Sequence, residues 1–261
     1  FPSGGSLAVA DPVNAVLGTI LVPLLGLVPA YNLLVLSHLV FSGWAAHRLA
    51  EALWPRSAPG AGAWVAGFGF LAAPVLVSAA HNGTSEAVAG GWLPVAVLAG
   101  LGALRQGGAK RVVLAGAALA VALWSSWYLG LCALLALGAL TLVGEGTLGL
   151  RQLSLRLVPV LVLGAAAALP LAWVQHHATT GVDNLIGIKG ASELALVRRM
   201  TGAADPLGFI MPGGFRSPDF RLLSRYSEDF VHCTYLGWTL ILGGALALWR
   251  RSTRSATGWL V

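Results

Sequence analysis

The chain alternates long apolar runs with short polar segments. A helix of about 20 apolar residues is long enough to cross the hydrocarbon core of a bilayer. Seven stretches approach that length, at residues 31–50, 62–80, 87–104, 111–126, 128–144, 155–174 and 235–250. Each is predicted to be helical, because lipid offers no hydrogen bonds to an exposed backbone. The pattern therefore predicts an all-α, polytopic transmembrane helix bundle of about seven spans.

Two segments depart from this pattern. Residues 13–29 are apolar but short, with Pro23 near the middle and Pro29 at the end. Since proline interrupts helical hydrogen bonding, a re-entrant or juxtamembrane outer-face helix is favoured over an eighth span. Residues 175–234 mix charges, aromatic residues and Pro/Gly turns. They predict a long extracytoplasmic loop, with an amphipathic helix at "ASELALVRRM".

Composition and the placement of charge support a membrane protein. The 261 residues are 57% hydrophobic and 10% charged, whereas soluble domains carry about 25% charged residues. Basic residues follow every second run, at Arg48, Arg56, Arg105, Lys110, Arg111, Arg151, Arg156, Arg250, Arg251 and Arg254. By the positive-inside rule these loops are cytoplasmic, so residues 1–12, 81–86, 125–128 and 175–234 face outward. The net charge of +6 is then a topology signal, and a nucleic-acid partner is rejected.

The N-terminal residue is phenylalanine, with no charged region of a signal peptide before it. We interpret residues 1–261 as a single transmembrane domain from a longer protein, and residues 1–12 as the remnant of its first outer loop. The two cysteines have no metal-site spacing and indicate no disulfide framework.

The hexapeptide "HNGTSE", residues 81–86, carries more chemistry than a turn requires. His81 and Glu86 are predicted at the outer ends of adjacent spans, and Asp11 lies on the same face. A carboxylate beside lipid is costly unless it faces a cavity or a partner. Asp11 or Glu86 is therefore a candidate general base or metal ligand, with His81 as hydrogen-bond partner. The alternative is that Glu86 only stabilises a helix N-terminus and that His81 only lies in the interface.

Other outer-face side chains are candidates for substrate binding. Five guanidinium groups suit a phosphate or pyrophosphate head group, at Arg198, Arg199, Arg216, Arg221 and Arg225. Contact with anionic lipid, or pairing with nearby acidic residues, explains them equally well. Trp127 and Tyr128, in "SSWY", suit an interfacial aromatic anchor, or alternatively the wall of a sugar site. His38 and His47 lie in or at the end of a span, where packing inside the bundle is expected.

Soluble-enzyme motifs are absent from the sequence, which contains no GxSxG, Walker, HExxH or CxxC pattern. The order of several segments resembles the multispanning glycosyltransferases of the GT-C superfamily, in particular bacterial members. The segments are "FPSGGSLAVADPVNAVLG", "LVPAYNLLVLSHLVFSGWAAHRLA", "HNGTSEAVAGGWLPVAVLAGLGAL", "SSWYLG", "ADPLGFIMPGG" and "YLGWTLILGGALALW". They cover most of the chain, as loose patterns.

This resemblance implies an enzyme that uses a polyprenyl-phosphate sugar as donor at the extracytoplasmic face of a bacterial inner membrane. The acceptor would be a glycan, a lipid or a protein, and a divalent metal ion is a candidate cofactor. A first transmembrane helix and the main catalytic acid would precede Phe1. Asp11 matches a later acid of the first loop, and Glu86 matches the acid that follows the third helix. The segment 175–234 would cap the donor site.

Two other functions are compatible with the sequence. One is a transporter or flippase of lipid-linked saccharides, which predicts charged or broken-helix elements near the bilayer midplane. The other is a non-catalytic membrane protein of cell-envelope assembly. The outer-rim position predicted for the ionisable residues favours the transferase over the transporter.

Overall fold

The computed structural model describes residues 11–53, 60–82, 85–143 and 150–180, together with Leu242. These residues form helices and contain no strand. The helices are α1 (Pro12–Leu25), α2 (Leu27–Leu53), α3 (Ala61–Leu71), α4 (Pro74–Asn82), α5 (Ser85–Val88), α6 (Trp92–Gln106), α7 (Ala109–Ser125), α8 (Trp127–Val143) and α9 (Leu150–Thr180). The predicted all-α class is confirmed over this part of the chain.

Three helical segments are long and apolar enough to cross a membrane, at Leu27–Leu53, Ala61–Ala80 and Gln152–Val174. They contain or closely overlap three of the predicted spans and are consistent with an integral membrane protein. The predicted span 235–250 lies outside the described residues, apart from Leu242. The predicted loop 175–234 begins later than expected, because α9 continues to Thr180. The rest of that loop also lies outside the described residues.

The helices on either side of "HNGTSE" are interrupted. The run 62–80 is divided into α3 and α4 just before Pro74, because proline disfavours the helical conformation of the residue that precedes it. On the other side, the four-residue α5 and a turn at 89–91 precede α6. The first two residues of the hexapeptide therefore end the short α4 and its last two begin the short α5, whereas the sequence predicted two continuous helices on either side.

A core of small and branched apolar side chains joins α6, α7, α8 and α9. Its buried members are Ala96, Val97, Leu101, Ala103, Leu104, Ala115, Ala118, Leu119, Ala122, Leu123, Ala133, Leu137, Val160 and Ala168. Small residues allow transmembrane helices to approach closely. A Cβ atom at Gly100 would lie 2.5 Å from Leu137, and one at Gly116 would lie 2.6 Å from Leu163. Close packing at glycine therefore holds this part of the bundle together.

Arginines cap helix ends at the face that the sequence predicts to be cytoplasmic. Arg105 donates a hydrogen bond of 3.0 Å to the carbonyl of Ala52, near the end of α2. Arg156, on α9, donates to the carbonyls of Leu104 and Arg105, near the end of α6. Basic side chains at helix C-termini satisfy the last carbonyl groups and interact favourably with the helix dipole. These two residues therefore tie neighbouring helices of the bundle together.

Helices α2 and α3 approach each other closely at a glycine, Gly67. A Cβ atom added at Gly67 would lie 2.8 Å from the carbonyl oxygen of Gly43 and 3.0 Å from the Cβ of His47. A backbone oxygen cannot move without moving its helix. Alanine at position 67 would therefore push α2 and α3 apart.

We expect Gly67→Ala to destabilise the fold by about 1–3 kcal/mol, the usual cost of overpacking. Gly102→Ala is the matched control, because a Cβ atom there meets nothing within 4 Å. It should be neutral, or stabilising by up to about 1 kcal/mol, since alanine is the better helix former. Thermal unfolding of both variants in detergent, followed by circular dichroism, measures the difference. Equal stability of the two variants would contradict the close contact.

At the other end of α2, a single residue reverses the chain. Gly26 separates α1 from α2 with φ of 81°, a left-handed value that glycine adopts without steric cost. Its N–H donates to the carbonyl of Val22 at 2.8 Å, and its own carbonyl accepts from Ala30 at 3.2 Å. The two helices are consequently folded back on each other as a hairpin, here called the α1–α2 hairpin. This turn brings the beginning of α1 to the middle of α2.

Candidate functional site

A buried carboxylate begins the α1–α2 hairpin. Asp11 is the N-cap residue of α1 and Pro12 is the first helical residue, an arrangement that both residue types favour. One carboxylate oxygen of Asp11 accepts the backbone N–H of Asn14 at 3.1 Å, and the other accepts its side-chain Nδ2 at 2.6 Å. Asp11 is 7% exposed. Asn14 therefore contacts both oxygens of the buried acid.

Asn14 also connects this acid to two other parts of the fold. Its Oδ1 lies 2.6 Å from Nε2 of His38, near the middle of α2. Its Nδ2 donates a longer hydrogen bond, 3.4 Å, to the carbonyl of Ser85 at the start of α5. Here the set Asp11, Asn14 and His38 is called the polar cluster. It joins α1, α2 and α5 at one point.

The polar cluster lies in apolar surroundings. His38 is 7% exposed, like Asp11. Ionisable groups within a transmembrane segment are costly and are satisfied by partners or by a water-filled cavity. The hydrogen bonds of Asn14 reach both oxygens of Asp11 and Nε2 of His38, which helps to accommodate the cluster. They also give Asp11 a structural role as a helix cap.

A cavity of about 180 Å³ occupies the wedge between the two helices of the hairpin. Its walls include Gly18 and Val22 from α1, and Ala30 and Leu34 from α2. Asn14, His38 and Ser85 also border it, although its wall is almost entirely apolar, and Asp11 lies behind Asn14. By comparison, an apolar cavity of about 150 Å³ in another protein binds benzene. The wedge therefore has room for a group the size of roughly one isoprenoid unit.

The three predicted catalytic residues lie at different distances from this cluster. Asp11 is part of it. Glu86 is half-buried in the first turn of α5, directly after Ser85, whose carbonyl accepts from Asn14. His81 lies at the end of α4. The structure thus brings Asp11 close to the beginning of α5, and the joint use of Asp11, Glu86 and His81 stays a prediction.

Only two of the predicted substrate-binding residues lie in the part of the chain that the structure describes. Trp127 and Tyr128 begin α8 and are 40% and 80% exposed. Their exposed rings suit either a membrane anchor or a sugar wall. The arginines fall outside the described residues, namely Arg198, Arg199, Arg216, Arg221 and Arg225. Their role in phosphate binding remains a prediction.

The side chains around Asp11 do not fit a divalent metal ion. Within the described ranges, no three His, Cys, Asp or Glu side chains converge. Both oxygens of Asp11 accept N–H groups of Asn14, whereas a bound Mg²⁺ or Ca²⁺ requires several oxygen ligands. The described side chains of this cluster therefore do not form a divalent-metal site.

Two members of the cluster, Asn14 and His38, were not predicted as site residues. Asn14 lies in an apolar run, and His38 was assigned to packing. A signal was present in "DPVN", residues 11–14, because Asp-Pro marks a helix start and Asn14 follows the cap by one turn. His38 had the local signal of an ionisable residue inside a predicted span. Their contact depends on the turn at Gly26.

The comparisons with known proteins assign no family to the chain. No family model matches it, and neither a curated protein nor a solved structure matches it. Function must therefore be inferred from the arrangement of its own residues, together with the resemblance of its segments.

Proposed function

We propose that this chain is part of an integral-membrane glycosyltransferase that moves a sugar from a polyprenyl-phosphate donor to an acceptor hydroxyl. The observation that carries the proposal is a buried acid, Asp11, whose hydrogen-bond partner Asn14 borders an apolar cavity. A lipid-linked sugar needs both an apolar and a polar environment. Its apolar chain requires burial, and its reacting head group requires a polar site with a base.

The reaction needs few protein groups. The acceptor hydroxyl attacks the anomeric carbon of the donor sugar, and the bond from that carbon to the phosphate oxygen breaks. The hydroxyl proton passes to the carboxylate of Asp11, while polyprenyl phosphate leaves with the bonding electron pair. Each Asp11 oxygen that accepts one hydrogen bond from Asn14 retains further acceptor capacity for this proton. Glu86, beside Ser85, is the second candidate base.

The membrane arrangement extends the same proposal. With about seven spans and cytoplasmic basic loops, the N-terminal end of α2 lies at the outer side of a bacterial inner membrane, and the cluster lies deeper, beside the middle of α2. The segment 175–234 covers the donor, and its arginines stabilise the charge of the leaving phosphate. Membrane lipid and the donor are then partners of the protein. The segments that resemble GT-C glycosyltransferases support this assignment.

The test is sugar transfer by the full-length protein in proteoliposomes that contain a polyprenyl-phosphate donor whose sugar is radiolabelled. We expect labelled product that depends on both protein and donor. It should form on the side that corresponds to the extracytoplasmic face. Labelled polyprenyl-phosphate sugar that is recovered unchanged with every acceptor class, whether glycan, lipid or protein, would refute the transferase.

One observation favours a second function, a transporter or flippase. Asn14 connects Asp11 to His38 near the middle of α2, whereas the sequence placed the acidic residues at the outer rim. Ionisable groups at that depth, in a fold that also contains the broken helix pair α3 and α4, are typical of transporters. The same proteoliposomes distinguish the two functions. A transporter moves the intact donor across the bilayer, whereas a transferase forms a new glycosidic bond.

A further inference from the structure

The hydrogen bonds of Asn14 determine which way its amide faces. The carboxylate of Asp11 and the carbonyl of Ser85 can only accept hydrogen bonds, so Nδ2 of Asn14 must face both. Its Oδ1 then faces Nε2 of His38, at 2.6 Å. Because Oδ1 is an acceptor, the imidazole must carry a proton on Nε2. The reversed amide would place oxygen against oxygen at Asp11 and at Ser85.

His38 therefore fixes the orientation of the Asn14 amide, and Asn14 fixes the carboxylate of Asp11. We propose that Asn14 and His38 are positioning residues, which hold the Asp11 carboxylate in the orientation needed to accept the proton of the acceptor. This inference rests on the proposed glycosyltransferase function. Neither residue needs to touch the acceptor, since Asn14 acts on Asp11 directly and His38 acts through Asn14.

The arrangement has a physical advantage. The N-cap bond alone would restrain only one oxygen of Asp11, while the second bond, from Nδ2, restrains rotation of the carboxylate. The imidazole comes from α2, which is tied to α1 by the turn at Gly26. The position of the base in α1 is thereby set by a second helix. General-base catalysis depends on such geometry, because a displacement of 1 Å can cost about 10²-fold in rate.

The kinetic test compares variants of the full-length protein in the transfer assay. We expect Asn14→Leu and His38→Leu each to lower kcat by about tenfold, with little change in the donor KM. His38→Gln should restore most of the loss, because the glutamine amide can donate from a position close to that of Nε2. The matched control is His47→Leu, in the same helix. His47 packs against Trp64 with ring centroids 4.5 Å apart, and should leave kcat unchanged.

Two kinetic outcomes would overturn the positioning role. One is wild-type kcat in both Asn14→Leu and His38→Leu. The other is an effect confined to KM, which would show that the two residues only line the cavity. If the substitutions only lowered stability, they would reduce the amount of active enzyme. His38→Gln and His38→Leu would then have the same kcat per folded molecule.

A second readout does not depend on catalysis. Nitrogen-15 NMR of histidine-labelled protein reports which ring nitrogen carries the proton, and the His38 signal is assigned by its loss in His38→Gln. We expect an Nε2–H signal in the wild type and a changed signal in Asn14→Leu. An Nδ1–H tautomer in the wild type would overturn the inference whatever the transfer assay gives.

If the wild type keeps the expected signal but transfers no sugar, the proposed function fails, and the positioning role fails with it. If it transfers sugar at rates insensitive to these residues, only the positioning role fails.

Discussion

Replacing Asp11 with asparagine is expected to lower sugar transfer by more than about tenfold. The loss of a general base typically lowers a rate by about 10²- to 10⁴-fold. Asparagine is as good an N-cap residue as aspartate. The variant therefore retains the backbone bond that begins α1, but it loses the oxygen that accepts from Nδ2 of Asn14 and cannot take the acceptor proton. This separates the two roles that the structure gives Asp11, as a helix cap and as the buried acid of the cluster.

Two further variants serve as comparisons. Asp11→Ala removes the cap as well, so it should also lose about 1 kcal/mol of stability. Glu86→Gln tests the other candidate base at the start of α5, and a similar loss of transfer is expected if that residue accepts the proton instead. The measurement is the initial rate per folded molecule, with folding checked by size-exclusion chromatography and thermal unfolding. Wild-type rates in both Asp11→Asn and Glu86→Gln would rule out the site assignment.

The second large effect is expected from filling the wedge cavity. Gly18 lies on its wall, and a Cβ atom there meets nothing within 4 Å. A leucine at this position would occupy space that we assign to the donor chain. Each buried methylene contributes about 0.8 kcal/mol, so displacing two to four carbons costs roughly 1.6–3 kcal/mol. That corresponds to a fall of about 10- to 100-fold in kcat/KM for the donor.

A variant that lost activity because it failed to fold would also lose thermal stability. Gly18 lies inside α1, where leucine is a better helix former than glycine. Gly18→Leu should therefore keep or raise the thermal stability while activity falls. Gly138→Leu, in α8, is the matched control, because its added Cβ also meets nothing within 4 Å and it does not line the cavity. Unchanged kcat/KM in Gly18→Leu would mean that the donor chain lies elsewhere.

The long helices could be predicted from the sequence because their signal is local. Twenty or more apolar residues leave few alternatives to a spanning helix, and α2 and the apolar part of α9 agree with that expectation. The interruptions were harder to predict. Pro74 gives a local reason for the break between α3 and α4, but prolines also occur inside α1 and α9 without ending them. Packing against neighbouring helices decides between these outcomes.

The polar cluster could be predicted only in part. Asp11 stands out as an acid beside apolar runs, and Asp-Pro marks a helix start. The contact between Asn14 and His38 joins residues that are 24 positions apart. It exists because Gly26 adopts a left-handed φ and folds α1 back on α2. The sequence contains 34 glycines, and no local pattern distinguishes the one that reverses the chain. Non-local contacts of this kind require the folded arrangement.

The most direct test of the central claim is the location of the donor. A polyprenyl phosphate with a diazirine close to its phosphate can be photo-crosslinked to the full-length protein in proteoliposomes, and the labelled peptides identified by mass spectrometry. We predict labelling of α1 and the first half of α2, competed by unlabelled polyprenyl phosphate and lost in Gly18→Leu but kept in Gly138→Leu. Labelling that avoids the α1–α2 hairpin, or that is unaffected by Gly18→Leu, would contradict the account.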